Sequence, residues 1–394
     1  MTQDLPPPQG PLVGLKVLDL GVLIAGPLVG CYLGDMGADV VKVERPTGDP
    51  SRATGRHVEG VSLIWKYIGR NKRSISIDFG VEEGRQLVLD LAASADILIE
   101  NFRPGTLEKW GLGWDALHAV NPRLVMARIS GFGQTGPYAR RSGFGTVAES
   151  MAGFTNLNGW PEGPPTLSPI ALADTAAAMA ATIAVLAALH RRDATGEGEQ
   201  VDISLIEPLF SYFGPQFVDY CQFGEEPKRV GNRLDFASPR GAYVCKDGKW
   251  LALSGATQIT AGNIFRAIGR TELLDDPRFA TNAARMKNAD AVDEAIQQWA
   301  STLPRAEALD RLYETGAPVG PVYGMQDILD DPHFQERSVH VEVPDPELGA
   351  IRLPNIFARF MNAPGAIRFA GRPVNADRVS VLADWLGRDA EGRP

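Results

Sequence analysis

Asp174 has the clearest chemical potential in this chain. It stands directly before TAAAMAATIAVLAALHRR, which reads as a long, nearly all-apolar helix with basic residues suited to its C-terminus. An acidic side chain there can accept hydrogen bonds from unpaired backbone N–H groups, so one reading is an N-cap contributing about 0.5–2 kcal/mol. The same position suits a nucleophile, because the positive helix end keeps a carboxylate ionised and spare N–H groups can stabilise an oxyanion formed beside it. A second candidate is electrostatic. From Lys42 to Arg73 the chain carries eight Lys or Arg against the three acids Glu44, Asp49 and Glu59, which suits a phosphate-rich ligand or a solvated loop. A third is GFGQTG (131–136), which satisfies GxGxxG after a strand. The dinucleotide fingerprint needs a helix opening at the glycines, whereas Pro137 and YARRSG continue a loop here, so we read a flexible loop lining a cleft.

Other function classes are excluded by composition. A net charge of -9 argues against a general nucleic-acid binder, which needs a positive surface to displace counterions. The three cysteines, Cys31, Cys221 and Cys245, are scattered without CxxC spacing, which fits a reducing compartment. The five histidines form no ligand pair, so no structural metal is expected. MTQDLPPPQG lacks the basic start and apolar stretch of a signal peptide, and no uncharged apolar run reaches the length of a membrane span. A cytoplasmic protein without membrane or nucleic-acid partners is the expectation.

The elements that must position these residues alternate. GLKVLDLG (14–21) reads as a strand, AGPLVGCYLGDMGA (25–38) as a helix and DVVKVER (39–45) as a strand. KRSISIDF, DILIENF and RLVMARIS are further strands, with EEGRQLVLDLAASA and a glycine-broken TLEKWGLGWDALHAV as helices between them. This predicts an α/β fold with a parallel sheet. At 394 residues the chain exceeds one ordinary core. We expect a large domain beginning with residues 1–215, a smaller α+β domain over 216–325, and a return of 326–394 to the large domain. In the small domain AYVCKDGKWLALSG reads as a strand pair turning at KDG.

Taken in order, VLDLGVLIAGPLVGCYLGDMGADVVKVERPTGDPSR, NKRSISID, ADILIENFRPGTLEKWGLGWDAL, NPRLVMARISGFGQTGP and GPPTLSPIALADTAAAMAATIAVLAALHRRDATGEGEQVDISL resemble the class III CoA-transferases, the formyl-CoA and carnitine CoA-transferase type. The resemblance runs over about residues 12–210. It implies a Rossmann-like large domain, an inserted small domain and an interlocked homodimer. It implies that Asp174 is the covalent nucleophile, with an acyl-CoA and a carboxylic acid as substrates and no cofactor. By position it sets Leu23, Ile24 and Ala25 against CoA, Asn101 and Phe102 near its adenine or pantetheine, and Lys109 near phosphate. Arg45, Arg52, Lys72 and Arg73 fit independently, since a 3′-phosphate and a pyrophosphate need charge-assisted donors. The intermediates need water excluded, and the stretch Ser238, Pro239, Arg240, Gly241 is the candidate closing loop.

The chain departs from some relatives at Gly143, Phe144 and Gly145. Racemases of this type resemble GHD there, and neither Phe144 nor Gly145 can move a proton, which sets racemase chemistry behind transfer. Some transferases carry a carboxylate at 145; here Glu149 is the nearby acid, read as a surface helix residue. A glycine at 145 leaves room for a larger acyl group, so a dicarboxylic acceptor is expected, related to succinate, mesaconate or itaconate, with Arg128, Arg140 or Arg240 on its distal carboxylate. A nicotinamide-dependent oxidoreductase built on GFGQTG and a silent CoA-binding protein are the readings from other classes.

Overall fold

The computed structural model describes residues 5–389, and the chain divides into two compact units. The first takes residues up to 155, 167–224 and from 335 onward; the second takes 156–166 and 225–334. The division falls later than 216 because Gly214–Phe223 forms a helix that stops at Gly224, in the left-handed region at φ +70.

The first unit is built on six parallel strands: β1 (Lys16–Asp19), β2 (Asp39–Glu44), β3 (Lys72–Ser76), β4 (Ile97–Glu100), β5 (Val125–Ser130) and β6 (Glu199–Ser204). Their spatial order is β3-β2-β1-β4-β5-β6, and every neighbouring pair is parallel. This is the doubly wound order, in which the direction of winding reverses between β1 and β4. Apolar residues run unbroken along the strands because both faces are covered. On one face Val17, Val40, Ile97 and Val125 pack against α1 (Ala25–Asp35), α2 (Leu63–Ile68) and a long alanine-rich helix. On the other, Leu18, Val41, Leu98 and Met126 meet α3 (Glu82–Ala93) and Trp385 of a C-terminal helix.

Two further helices carry the site, α4 (Gly145–Met151) and that long helix, α5 (Leu172–Thr195). By length and composition α5 could cross a membrane. Ala173, Ala177, Ala181 and Val185 instead bury one side of it in the core against α1. It ends where Gly196 takes the left-handed conformation, φ +81. The C-terminal stretch adds the hairpin His340–Asp345/Gly349–Pro354. Buried Lys66 of α2 pairs with Asp345 at 2.6 Å, and α6 (Arg378–Leu386) packs beside β3.

In the second unit an antiparallel sheet of Arg240–Val244, Trp250–Ser254 and Val319–Pro321 packs on helices through Leu251, Ile264, Phe265 and Leu312. The expected KDG hairpin is present, with Val244 opposite Trp250.

Candidate active site

Helix α5 opens three residues earlier than the sequence suggested. Its N-cap is Ala171, which offers no side-chain bond, and Thr175 N–H already donates to Ala171 O at 3.0 Å. The good helix formers of ALA extend the helix backwards, so Asp174 is its third residue and not its cap. Asp174 is half-buried, and its carboxylate makes no hydrogen bond to another residue among the described ones. Burial pushes its pKa from the ordinary 3.8 up to about 6, its own backbone N–H lowers it, and the negative charge of Glu149 raises it. Burial therefore outweighs the helix-end field expected to favour the anion.

The space beside Gly145 is not free for substrate. A Cβ placed there would overlap Asp174 Oδ2 and stand 3.3 Å from its Cγ, so the nucleophile candidate's own carboxylate fills it. One turn along α4, Glu149 is 3% exposed and accepts the Ser168 N–H at 3.3 Å. The surface position expected for Glu149 is thus corrected: Gly145, Ala148 and Glu149 form the face of α4 that packs on α5. Phe144, the residue before α4, is exposed.

The GFGQTG segment forms a closed loop. Gly131 and Gly143 approach so closely that a Cβ on either would lie 2.7 Å from the other's Cα, and Asp202 accepts Gln134 N–H at 2.9 Å. No helix opens at these glycines, as a dinucleotide site requires. The loop instead walls a cleft of about 470 Å³ with Gly105, Glu108, Arg128, Gln134 and Arg140, beyond the carboxyl ends of β4 and β5. Gln134 Nε2 is buried in it without a hydrogen-bond partner. Arg128 is committed to Glu100 at 2.7 Å and Glu108 at 2.8 Å, which removes it as a holder of a distal carboxylate. Arg140 is exposed on the rim and makes no ion pair among the described residues.

At the winding reversal, the turn from β1 to α1 is held in an unusual shape. Leu23 takes φ +62, a conformation costing a non-glycine residue about 1–2 kcal/mol. Asn101, just past β4, fixes the preceding residue by accepting Val22 N–H at 2.7 Å and donating to Val22 O at 2.9 Å. Asp49 accepts the Leu23 N–H at 3.3 Å and is itself paired with buried Lys42 at 3.4 Å. Leu23, Ile24, Ala25 and Asn101 therefore lie together at the crevice where doubly wound sheets bind ligands. Phe102 is buried edge-on to Trp110, and Arg45 lies over the Trp110 ring at 5.7 Å. Lys109 is exposed at the end of the short helix Thr106–Lys109.

Most of the basic cluster is internal. Lys72 pairs with Asp19 at 2.8 Å beneath α1. Arg52 grips Glu44 at 2.7 Å and stacks on Trp65. Arg73 binds Asp39 and Asp384, each at 2.6 Å. These three are corrected from phosphate donors to framework residues; Arg45 and Arg56 are the exposed cations of the cluster. Sequence reasoning missed Asp49, Trp110 and the burial of Glu149. The signal available was the row of acids at 19, 39, 44 and 49, each at or just beyond a strand end.

The expected closing loop is anchored. Ser238 N–H donates to Asn282 Oδ1 at 3.1 Å, and Ser238 O accepts Arg285 Nε at 2.7 Å. Arg240 opens a strand of the second unit's sheet and donates to the carbonyls of Asn232 and Arg233 at 2.8 and 2.9 Å. It lines a cavity of about 390 Å³ in that unit with Trp160 and Tyr243. Among the described residues no cluster of His, Cys, Asp or Glu is arranged to hold a metal ion.

Residues 12–378 match the model of CoA-transferase family III. The chain is 40% identical over 382 residues to the succinyl-CoA–D-citramalate CoA-transferase of Chloroflexus aurantiacus, covering 96% of this chain and 95% of that one. It is 34% identical to the succinate–glutarate CoA-transferase of Agrobacterium fabrum, with 86% and 87% covered. Among solved structures, a CaiB/BaiF family protein from Brucella suis superposes with a TM-score of 0.85 at 34% identity, covering 96% of this chain and all of that one.

Proposed function

The chain belongs to CoA-transferase family III and is a CoA-transferase, and we propose that it moves CoA from succinyl-CoA to a second dicarboxylic acid through a covalent intermediate on Asp174. The observation that carries this reading is the Asp174 carboxylate itself, half-buried in the first turn of α5 and without a hydrogen-bond partner outside its own residue. A carboxylate so placed is poorly solvated and unsatisfied, hence a better nucleophile than one on the surface.

The chemistry balances without a cofactor. A carboxylate oxygen of Asp174 attacks the thioester carbonyl, the C–S bond breaks, and CoA leaves as the thiolate, giving a mixed anhydride. The thiolate then attacks Asp174 Cγ, forming an aspartyl-CoA thioester and releasing the donor acid. The acceptor acid repeats both exchanges in reverse order and regenerates the carboxylate. Phe144 and Gly145 supply neither acid nor base, which favours transfer over racemisation. Leu23, Ile24, Ala25, Asn101 and Phe102 are the proposed contacts for CoA, with Arg45 and Lys109 for its phosphates. Arg140 is the candidate left in the first unit for the acceptor's distal carboxylate. The small acids named for the relatives motivate the dicarboxylate reading. We place the enzyme in the cytoplasm as a homodimer; its three cysteines are free, and it carries exposed apolar side chains along α5 and Gly214–Phe223.

Intact-protein mass spectrometry after incubation with succinyl-CoA, with and without hydroxylamine, tests the proposal. An adduct on Asp174, trapped by hydroxylamine and absent from Asp174→Ala, is expected. CoA binding without any adduct, or an adduct that survives Asp174→Ala, overturns it.

A further inference from the structure

We infer that Gly145 is a positioning residue for the transfer, receiving the Asp174 carboxylate in the space of its missing side chain and so fixing which oxygen attacks. The inference rests on the nucleophilic reading of Asp174 and deepens it.

Backbone shape does not explain this glycine. Gly145 is absent from the positive-φ glycines, and as the first residue of α4 it has a conformation open to any residue. In a helix, glycine is the weaker choice against alanine. The explanation lies in what faces it. The atoms nearest to a Cβ at 145 are Oδ2 and Cγ of Asp174, followed by Asp174 N at 4.0 Å, so the neighbour is the reacting side chain.

The rest of α4 keeps the carboxylate there. Ala148 and Glu149 are buried on the same face. Glu149 accepts the Ser168 N–H at 3.3 Å, which holds the chain four residues before α5 begins and confines the approach to Asp174. With Oδ2 seated on Gly145, Oδ1 is the oxygen left to form the bond to the thioester carbon as the C–S bond breaks and the thiolate departs. A methyl group at 145 must displace the carboxylate, and a displacement of about 1 Å in a reacting group is enough for a roughly 100-fold loss.

The test uses Gly145→Ala in the full-length chain. Calorimetric binding of CoA stays within about twofold, while the rate of succinyl adduct formation at Asp174 falls about 100-fold, a loss in kcat with KM little changed. A stability cycle gives a readout independent of activity. In the Asp174→Ala background the contact is gone, and Gly145→Ala raises the melting temperature by about 1–2 °C, as alanine does where glycine's freedom is unneeded. With Asp174 present, the same substitution lowers it. An adduct rate within threefold of wild type, or the same thermal effect in both backgrounds, overturns the inference. If Gly145→Ala alone does not fold, folding restored by Asp174→Ala supports the contact and failure to restore it overturns it. An adduct that persists in Asp174→Ala instead removes the nucleophile reading, while the cycle still reports the contact.

Discussion

Asp174 is held where ionisation is opposed mainly by burial and further by Glu149, with a pKa raised to about 6. In the proposed mechanism the attacking form is the anion, so kcat/KM for the acyl-CoA falls below about pH 6 and levels off above about pH 7 in a buffer series at constant ionic strength. Glu149→Gln keeps an oxygen for the Ser168 N–H and removes one negative charge, so the acid limb moves to lower pH. A limb that stays put would mean that burial alone sets the value. The same group also affects stability. Its folded pKa lies above the ordinary 3.8, so the folded chain binds the proton more tightly, and ionising Asp174 at neutral pH destabilises the fold. Asp174→Asn therefore raises the melting temperature above about pH 6, and the gain disappears below about pH 4.

At the scale of elements, the turn between β1 and α1 carries the strain and its neighbours hold it. Leu23 at φ +62 is fixed through Val22 by Asn101 and directly by Asp49. Asn101→Ala removes both bonds to Val22, and the turn is then free to relax from a conformation costing about 1–2 kcal/mol. The expected outcome is a KM for the acyl-CoA raised about 10-fold with kcat nearly unchanged, because in the proposed site the turn holds CoA and does not react. A fall in kcat alone would place Asn101 in the chemistry. In the second unit, Arg285 is 0% exposed, pairs with no acid among the described residues, and donates to Ser238 O, Gln258 Oε1 and Phe279 O. Arg285→Met strands these acceptors and should cost about 2–4 kcal/mol, read as a lowered denaturation midpoint. The strands and helices of the first unit were legible because alternating apolar runs and turn residues are local signals. The start of α5 was not, because an aspartate before an apolar run imitates a cap, and only the chain upstream decides whether the helix has already begun. The cations were misread for a different reason. Lys72 meets Asp19 and Arg73 meets Asp384 only because the strand order and the C-terminal helix bring distant residues together. Glu149 was hidden likewise, since its burial depends on α5 packing against it.

Across the whole molecule, a net charge of -9 keeps the chain soluble against like copies, yet large apolar side chains remain at the surface. Ile183 on α5 is 70% exposed and Phe223 is 74% exposed, with Tyr212, Phe217 and Val218 exposed between them in sequence. Single exposed apolar residues are ordinary, but an exposed Ile183 on α5 together with the run from Tyr212 to Phe223 is the mark of a covered surface. α5 also carries Asp174 at its first turn, so whatever covers Ile183 braces the helix that presents the proposed nucleophile. If a second copy does so, sedimentation equilibrium at micromolar concentration gives twice the 42.5 kDa chain mass. Ile183→Glu places a charge in that interface and shifts the mass toward the monomer. The activity of the variant then rises with protein concentration, because assembly and function share a helix and association follows mass action. A wild-type mass equal to one chain, or an Ile183→Glu variant that stays dimeric and fully active, would leave α5 braced by its own unit alone.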